Sequence, residues 1–185
     1  MNEHIQTLVL EEFELRAADT DGAVARLLAS SSNGRVRPVP LLTSIDDERR
    51  VATVRAVGEQ ENLDPSAAER AALEPFVSNW HMPRHYRPRI VERSQSPPSY
   101  YRLAVTESGI NQTTLESPAE APRSETSGGD ATPLDLLWIG APVDSYAGLL
   151  VLLGTRVRDA SRADPREWPL PMSDALGVRI YESRT

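Results

Sequence analysis

What most restricts the fold of this chain is how often its backbone is interrupted. Fifteen prolines and ten glycines are spread over 185 residues rather than gathered in one linker. Proline cannot donate to a helix or a ladder and glycine favours turns, so long helices have almost nowhere to form. Short apolar runs of strand character lie between the interruptions. Residues 99–107 set Tyr101, Leu103 and Val105 against Tyr100, Arg102 and Thr106, the period of a strand with two distinct faces. Residues 49–57 alternate more weakly, with Ala52, Val54 and Ala56 on one side. Residues 134–141 are apolar on both faces, as a strand covered twice would be.

Residues 4–16, 23–29, 36–45, 88–94, 149–158 and 176–182 are the remaining strand candidates, with Pro38 and Pro40 confining one of them to a sheet edge. In 4–16 the apolar parity slips between Leu8/Leu10 and Phe13/Leu15, so Glu11-Glu12 reads as a β-bulge or a bend. One helix is expected. Asp64 is a good cap, Pro65 suits the first helical position, and Ala67, Ala68, Ala71 and Ala72 precede Pro75. A second helix starting at Asp144-Ser145 competes with a strand through the leucines that follow. Residues 116–133 read as a long polar loop, and no internal repeat is visible. Together these elements predict an all-β fold: a single eight-stranded jelly-roll sandwich spanning 1–185, with one short helix. Its core is expected to hold Leu103, Val105, Leu136, Trp138, Val151, Val178 and Ile180.

Composition narrows the chemistry. The chain has no cysteine, which excludes disulfides, thiolate zinc sites and a cysteine nucleophile. All 20 basic residues are Arg and the net charge is -7. Guanidinium is weakly hydrated and pairs bidentately with carboxylates, so this usage suits an acidic surface in a salty setting. An acidic balance speaks against a surface given over to nucleic acid. The longest apolar run, Leu149 to Leu153, is far too short to cross a membrane, and Met1-Asn2-Glu3-His4 lacks the stretches of a secretory signal.

Trp80 to Arg93 is the one basic and aromatic stretch. Trp, Tyr and Arg dominate protein interfaces, so Trp80, Arg84, Tyr86, Arg87 and Arg89 are read as a subunit contact. The same groups could stack on bases and bind phosphates, which is the nucleic-acid alternative. A carbohydrate-binding sandwich would use Trp138 or Trp168 as a platform. His81 and His85 have the spacing of a helical zinc pair, but Pro83 lies between them and no Glu follows His81. No metal and no cofactor are expected. The acidic pairs Glu11-Glu12 and Asp19/Asp21 and the run Asp46-Asp47-Glu48 read as solvated turns. Asn111-Gln112-Thr113 is a glycosylation sequon. With no nucleophile elbow, phosphate loop or dinucleotide fingerprint, catalysis is not expected.

A chain free of lysine and cysteine, with strands laid out from Leu8 to Tyr181 and one short helix, resembles the smaller major capsid protein of tailless icosahedral haloarchaeal viruses with an internal membrane. That resemblance implies one upright jelly roll in a virion shell, assembled in the host cytoplasm. It implies self-association and pairing with a second, larger jelly-roll capsid protein, close to the viral membrane, without direct nucleic-acid contact. It carries over no catalytic residue.

Overall fold

The structure, a computed structural model, describes residues 7–31, 37–58, 67–93, 98–106, 136–143, 148–155 and 177–183. In chain order the described elements are β1 (Thr7–Leu15), α1 (Ala23–Ser31), β2 (Arg37–Pro38), β3 (Leu42–Ser44), β4 (Arg50–Val57), α2 (Ala67–Leu73), β5 (Val77–Trp80), β6 (Arg84–Arg93), β7 (Tyr100–Thr106), β8 (Leu136–Pro142), β9 (Leu150–Thr155) and β10 (Val178–Ser183). All strand pairs among the described residues are antiparallel.

The described residues are mostly β, as the sequence predicts, but their layout is not a sandwich. The sheet order runs β4-β3-β10-β7-β9-β8-β6-β1, and β1 pairs again with β4. Eight strands therefore close on themselves, which removes the free edges that a sandwich leaves. The short β2 is added along β4 and the short β5 along β1. Pro38 sits in β2, which pairs on one side only, where a missing donor costs no ladder bond.

The strand order also contains a duplication. In residues 7–93 the order β3-β4-β1-β6 is that of a split β-α-β-β-α-β unit, with α1 and α2 as its two crossovers. In residues 100–183 the order β8-β9-β7-β10 repeats it strand for strand, the crossovers running through 107–135 and 156–176, outside the described residues. Each half joins the other through its second and fourth strands, β3 to β10 and β8 to β6. Equivalent strands thus run the same way half a turn apart, and the approximate two-fold axis lies along the barrel. The sequence hides this repeat because barrel strands need only apolar character, not particular residues.

Several sequence expectations are corrected here. Residues 23–29 form a helix rather than a strand, because Asp19 and Asp21 are its caps rather than solvated turn residues. Asp19 accepts from the N–H groups of Val24 (3.1 Å) and Ala25 (3.1 Å), and Asp21 from that of Ala23 (3.2 Å). Gly22, with φ 69°, makes the turn between them and the helix. Two described helices therefore replace the single one expected. The stretch 36–45 divides into β2 and β3. No bulge falls at Glu11-Glu12: β1 runs unbroken opposite β4 through both residues, and its irregularity lies at Glu14/Leu15 against β5. Leu150–Thr155 is strand. The 116–133 loop, the sequon, Trp168, Asp64-Pro65 and the start of the competing helix at Asp144 lie outside the described residues.

Two cores follow from this architecture. Leu8, Leu10, Leu42, Ala52, Val54, Tyr86, Leu103, Val105, Leu150, Leu152 and Tyr181 fill the lumen. Phe13, Leu15 and Val51 face outward and are covered by Val24 of α1 and Leu73 of α2. Of the expected core, Leu103, Val105, Val151 and Ile180 are buried and Val178 is half-buried. The side chains of Leu136 and Trp138 lie outside the described set.

Candidate active site at the barrel mouth

At one end of the barrel β1, β3, β7 and β8 finish while β4, β6, β9 and β10 begin. Strand alternation places Leu8, Leu10 and then Glu12 toward the lumen, so a carboxylate continues an apolar row. Glu12 is buried. Arg179 reaches it across the lumen, its Nε donating to Oε1 (3.1 Å) and its Nη2 to Oε2 (3.3 Å). The Tyr181 hydroxyl donates to Glu12 Oε1, and Arg84 Nη2 stands 3.6 Å from Oε2. Toward solvent, Glu14 lies 3.7 Å from Arg50 and 3.7 Å from His81 Nε2.

The duplication explains this convergence. Arg84-His85-Tyr86 opens β6 and Arg179-Ile180-Tyr181 lies at the start of β10. Register confirms their equivalence: Leu8 and Leu10 oppose Tyr86 and Arg84, while Leu103 and Val105 oppose Tyr181 and Arg179. A two-fold along the barrel brings both Arg-x-Tyr pairs to the same mouth. The same sequence offset relates Glu12 to Glu107, which lies outside the described residues.

Both tyrosines are fully buried, yet they differ in partners. Tyr181 bonds to Glu12, whereas the Tyr86 hydroxyl is buried with no hydrogen bond of normal geometry, the Arg84 guanidinium beside it. Burial raises the pKa of each phenol above its ordinary value of 10.0, and for Tyr181 the Glu12 carboxylate pushes the same way. Both stay protonated donors at neutral pH. Tyr86 packs against Gly140, where a Cβ would meet Tyr86 Cβ at 2.7 Å. Only glycine admits the ring there.

The five residues proposed from sequence do not form one patch. Arg84 and Tyr86 face the lumen, while Arg87 and Arg89 are exposed on β6, with a register shift between Pro88 and Ile90. Trp80 sits on β5, its ring 5.1 Å from Phe13 with the Arg70 guanidinium 5.8 Å from its centroid. His85 faces away from the mouth, so it and His81 do not converge. Sequence reasoning missed Glu12, Arg179 and Tyr181. The signal for Glu12 was present as the slip in apolar parity at Glu11-Glu12; it marks a charged lumen position, not a bend.

No protein-family profile matches the chain, and no curated protein matches it in sequence. Solved structures do match. A protein from Fusobacterium nucleatum subsp. nucleatum, titled a putative monooxygenase, superposes with TM-score 0.64 at 10% identity, covering 98% of this chain and 92% of that one. A second putative monooxygenase, from Lactobacillus acidophilus, gives TM-score 0.64 at 7% identity, over 96% of this chain and 92% of that one. This whole-chain likeness overturns the resemblance to capsid proteins: the closed barrel is shared with proteins named putative monooxygenases and is not a jelly roll. The shell-protein function falls with it, and the partner and virion location it implied lose their basis. The nucleic-acid and carbohydrate alternatives gain no support. The expectation of no catalysis is overturned by the same likeness: it rested on missing linear motifs, and the fold is shared with proteins named putative monooxygenases. The fold of this chain is that of the barrel proteins named putative monooxygenases.

Proposed function

We propose that the chain is an enzyme with monooxygenase chemistry, acting at the barrel mouth around Glu12, Arg84, Tyr86, Arg179 and Tyr181. The observation that carries this reading is the buried ion cluster on the barrel axis. Burying a carboxylate against guanidinium costs more desolvation than apolar packing of the same volume, so stability alone does not favour it. Clusters of this kind collect where chemistry needs charge held in place. In this arrangement Glu12 can take a proton from a bound substrate. Tyr86 can donate a hydrogen bond to a substrate oxygen, Tyr181 holds Glu12 in place, and Arg84 can hold negative charge developing there.

Inserting one atom of dioxygen leaves the other to become water, so two electrons must come from the substrate or a separate reductant. The test therefore has two arms. Naphthols and hydroxynaphthoates are incubated under 18O2, with and without reduced flavin, and products are weighed for the gain of one labelled atom. Labelled product is expected in at least one arm, and Glu12→Gln should lower its rate about 10²–10⁴-fold. Absence of label in both arms, or an unaffected Glu12→Gln, would sink the reading. Self-association through exposed Trp80, Arg87 and Arg89 stands as a separate proposal, decided by light scattering.

A further inference from the structure

Two Arg-x-Tyr pairs reach this mouth, and one of them shows what such a pair holds. Arg179 gives Nε and Nη2 to the two oxygens of Glu12 (3.1 and 3.3 Å), and the Tyr181 hydroxyl closes the fork on Oε1. The group held is a carboxylate, planar and singly charged. Arg84 and Tyr86 are the equivalent pair of the first half, set against Leu10 and Leu8 as Arg179 and Tyr181 are set against Val105 and Leu103.

The second pair offers donors that the protein does not use. Tyr86 Oη is buried, and no group among the described residues accepts its proton. The ring cannot turn out to water. Tyr86 is 0% exposed and lies against the backbone of β8 at Gly140, where even a Cβ would come within 2.7 Å of it. A buried hydroxyl left without a bond costs about 1–3 kcal/mol, so a fixed one at a functional mouth points to a partner from outside.

Charge agrees. Among the described side chains here, Glu14 faces Arg50 and His81, and Glu12 takes Arg179 in a fork. Arg84 stands 3.6 Å from Glu12 Oε2, beyond hydrogen-bond length, with 34% of its side chain open to solvent. A guanidinium has five N–H donors, so Arg84 can take a second oxyanion while still offsetting Glu12. Its exposure gives a small anion the way in.

We infer that Arg84 and Tyr86 bind a small planar oxyanion, a carboxylate or bicarbonate, with two oxygens on the guanidinium and the phenol donating to one of them. The internal two-fold makes this the counterpart of the bond that holds Glu12. It needs no apolar seat, because the donors are themselves the walls of the site. A guanidinium fork matches an O–C–O edge, whereas chloride meets it as a single sphere. The inference shares the mouth with the proposed reaction but concerns binding alone.

Heteronuclear NMR of the intact chain, titrated at constant ionic strength with formate, bicarbonate, formamide and chloride, tests it. Formate or bicarbonate should give saturable shifts at residues 84–86 and 140–142, which face each other on β6 and β8. Its affinity should be at least about tenfold above that of formamide or chloride, since charge-assisted forked bonds exceed neutral or single ones. Whichever of the two binds tighter tells an organic acid from dissolved carbonate. Arg84→Gln should lower that affinity at least about tenfold, and Tyr86→Phe a few-fold. Arg87→Gln removes the same charge from the outer face of β6 and should change nothing. Amide spectra report whether each variant folds; should Arg84→Gln fail, the Tyr86→Phe titration decides. Glu107, which carries the sequence offset of Glu12, is also changed to Gln. Unchanged binding in that variant supports the inference, whereas binding that appears only there means the chain supplies its own carboxylate, and overturns it. Shifts that never saturate, equal affinity for formate and formamide, or indifference to both Arg84→Gln and Tyr86→Phe overturn it as well. Labelled product without anion binding would remove this site and leave the proposed reaction standing. Anion binding without labelled product would do the reverse.

Discussion

Two buried Arg–Glu–Tyr groups occupy this barrel, one inside it and one outside. Outside, Arg102 and Glu182 are direct neighbours on β7 and β10, with Arg102 Nε donating to Glu182 Oε1 (3.0 Å) and Nη2 to Tyr100 Oη (3.3 Å). Inside, Glu12 on β1 meets Arg179 and Tyr181 on β10, a strand it does not pair with. The outer group is a cross-strand pair that reinforces an existing ladder. The inner one links the two halves across the lumen and leaves two further donor atoms, Tyr86 Oη and Arg50 Nε, unused. Identical residue types therefore serve different ends, and the deciding factor is whether the surrounding groups are satisfied.

The largest effect that separates the two groups is on turnover. Arg102→Met should destabilise the fold by about 1–3 kcal/mol by removing the guanidinium that bonds Glu182 and Tyr100, yet keep the rate within about twofold of the parent. Glu12→Gln should do the opposite, losing at least about a hundredfold in rate. Equal losses of rate in both variants would erase the distinction. Gly140→Ala is next. Its methyl would press on Tyr86 Cβ, 2.7 Å away, and strand backbone on both sides resists the shift. A cost of about 1–3 kcal/mol in urea unfolding is expected; a neutral outcome would mean that β6 and β8 part more easily at the mouth than their pairing suggests.

The smallest effect is in the alkaline range. Burial and Glu12 hold the Tyr181 phenol well above its ordinary 10.0. The folded state thus keeps a proton that the unfolded chain gives up first. Tyr181 contributes its full stabilisation below pH 10 and loses it as pH rises above that value toward the folded one. Tyr86 and Tyr100 shift the same way through burial. Tyr181→Phe should flatten the alkaline fall in stability by on the order of 1 kcal/mol, read from urea midpoints between about pH 8 and 11. An unchanged alkaline slope would show that the inner hydroxyl is less shielded than its burial implies.

Much of the strand content was legible, because alternation is a local property. Ala52, Val54 and Ala56 in β4, and Tyr101, Leu103 and Val105 in β7, share the lumen side as their spacing predicts. β1 misled, because a barrel strand with helices behind it is apolar on both faces, and a two-sided strand looks like a broken one. The helix at 23–31 was missed for a related reason: its two aspartates act through backbone N–H groups that only the folded turn brings within reach.

Taken by itself, the sequence determined that the chain is rich in short strands, that it cannot cross-link through cysteine, and that all its cations are guanidinium. These follow from residue type and near-neighbour spacing. Tertiary structure alone decided that the strands close into a barrel and that the chain is built twice over. It also decided that Glu12 and Arg179, at opposite ends of the sequence, share a bond. Closure depends on which strands pair at long range, and apolar alternation is the same for a sandwich and a barrel. The mouth chemistry depends on that closure, since only a closed ring brings both Arg-x-Tyr pairs to one axis.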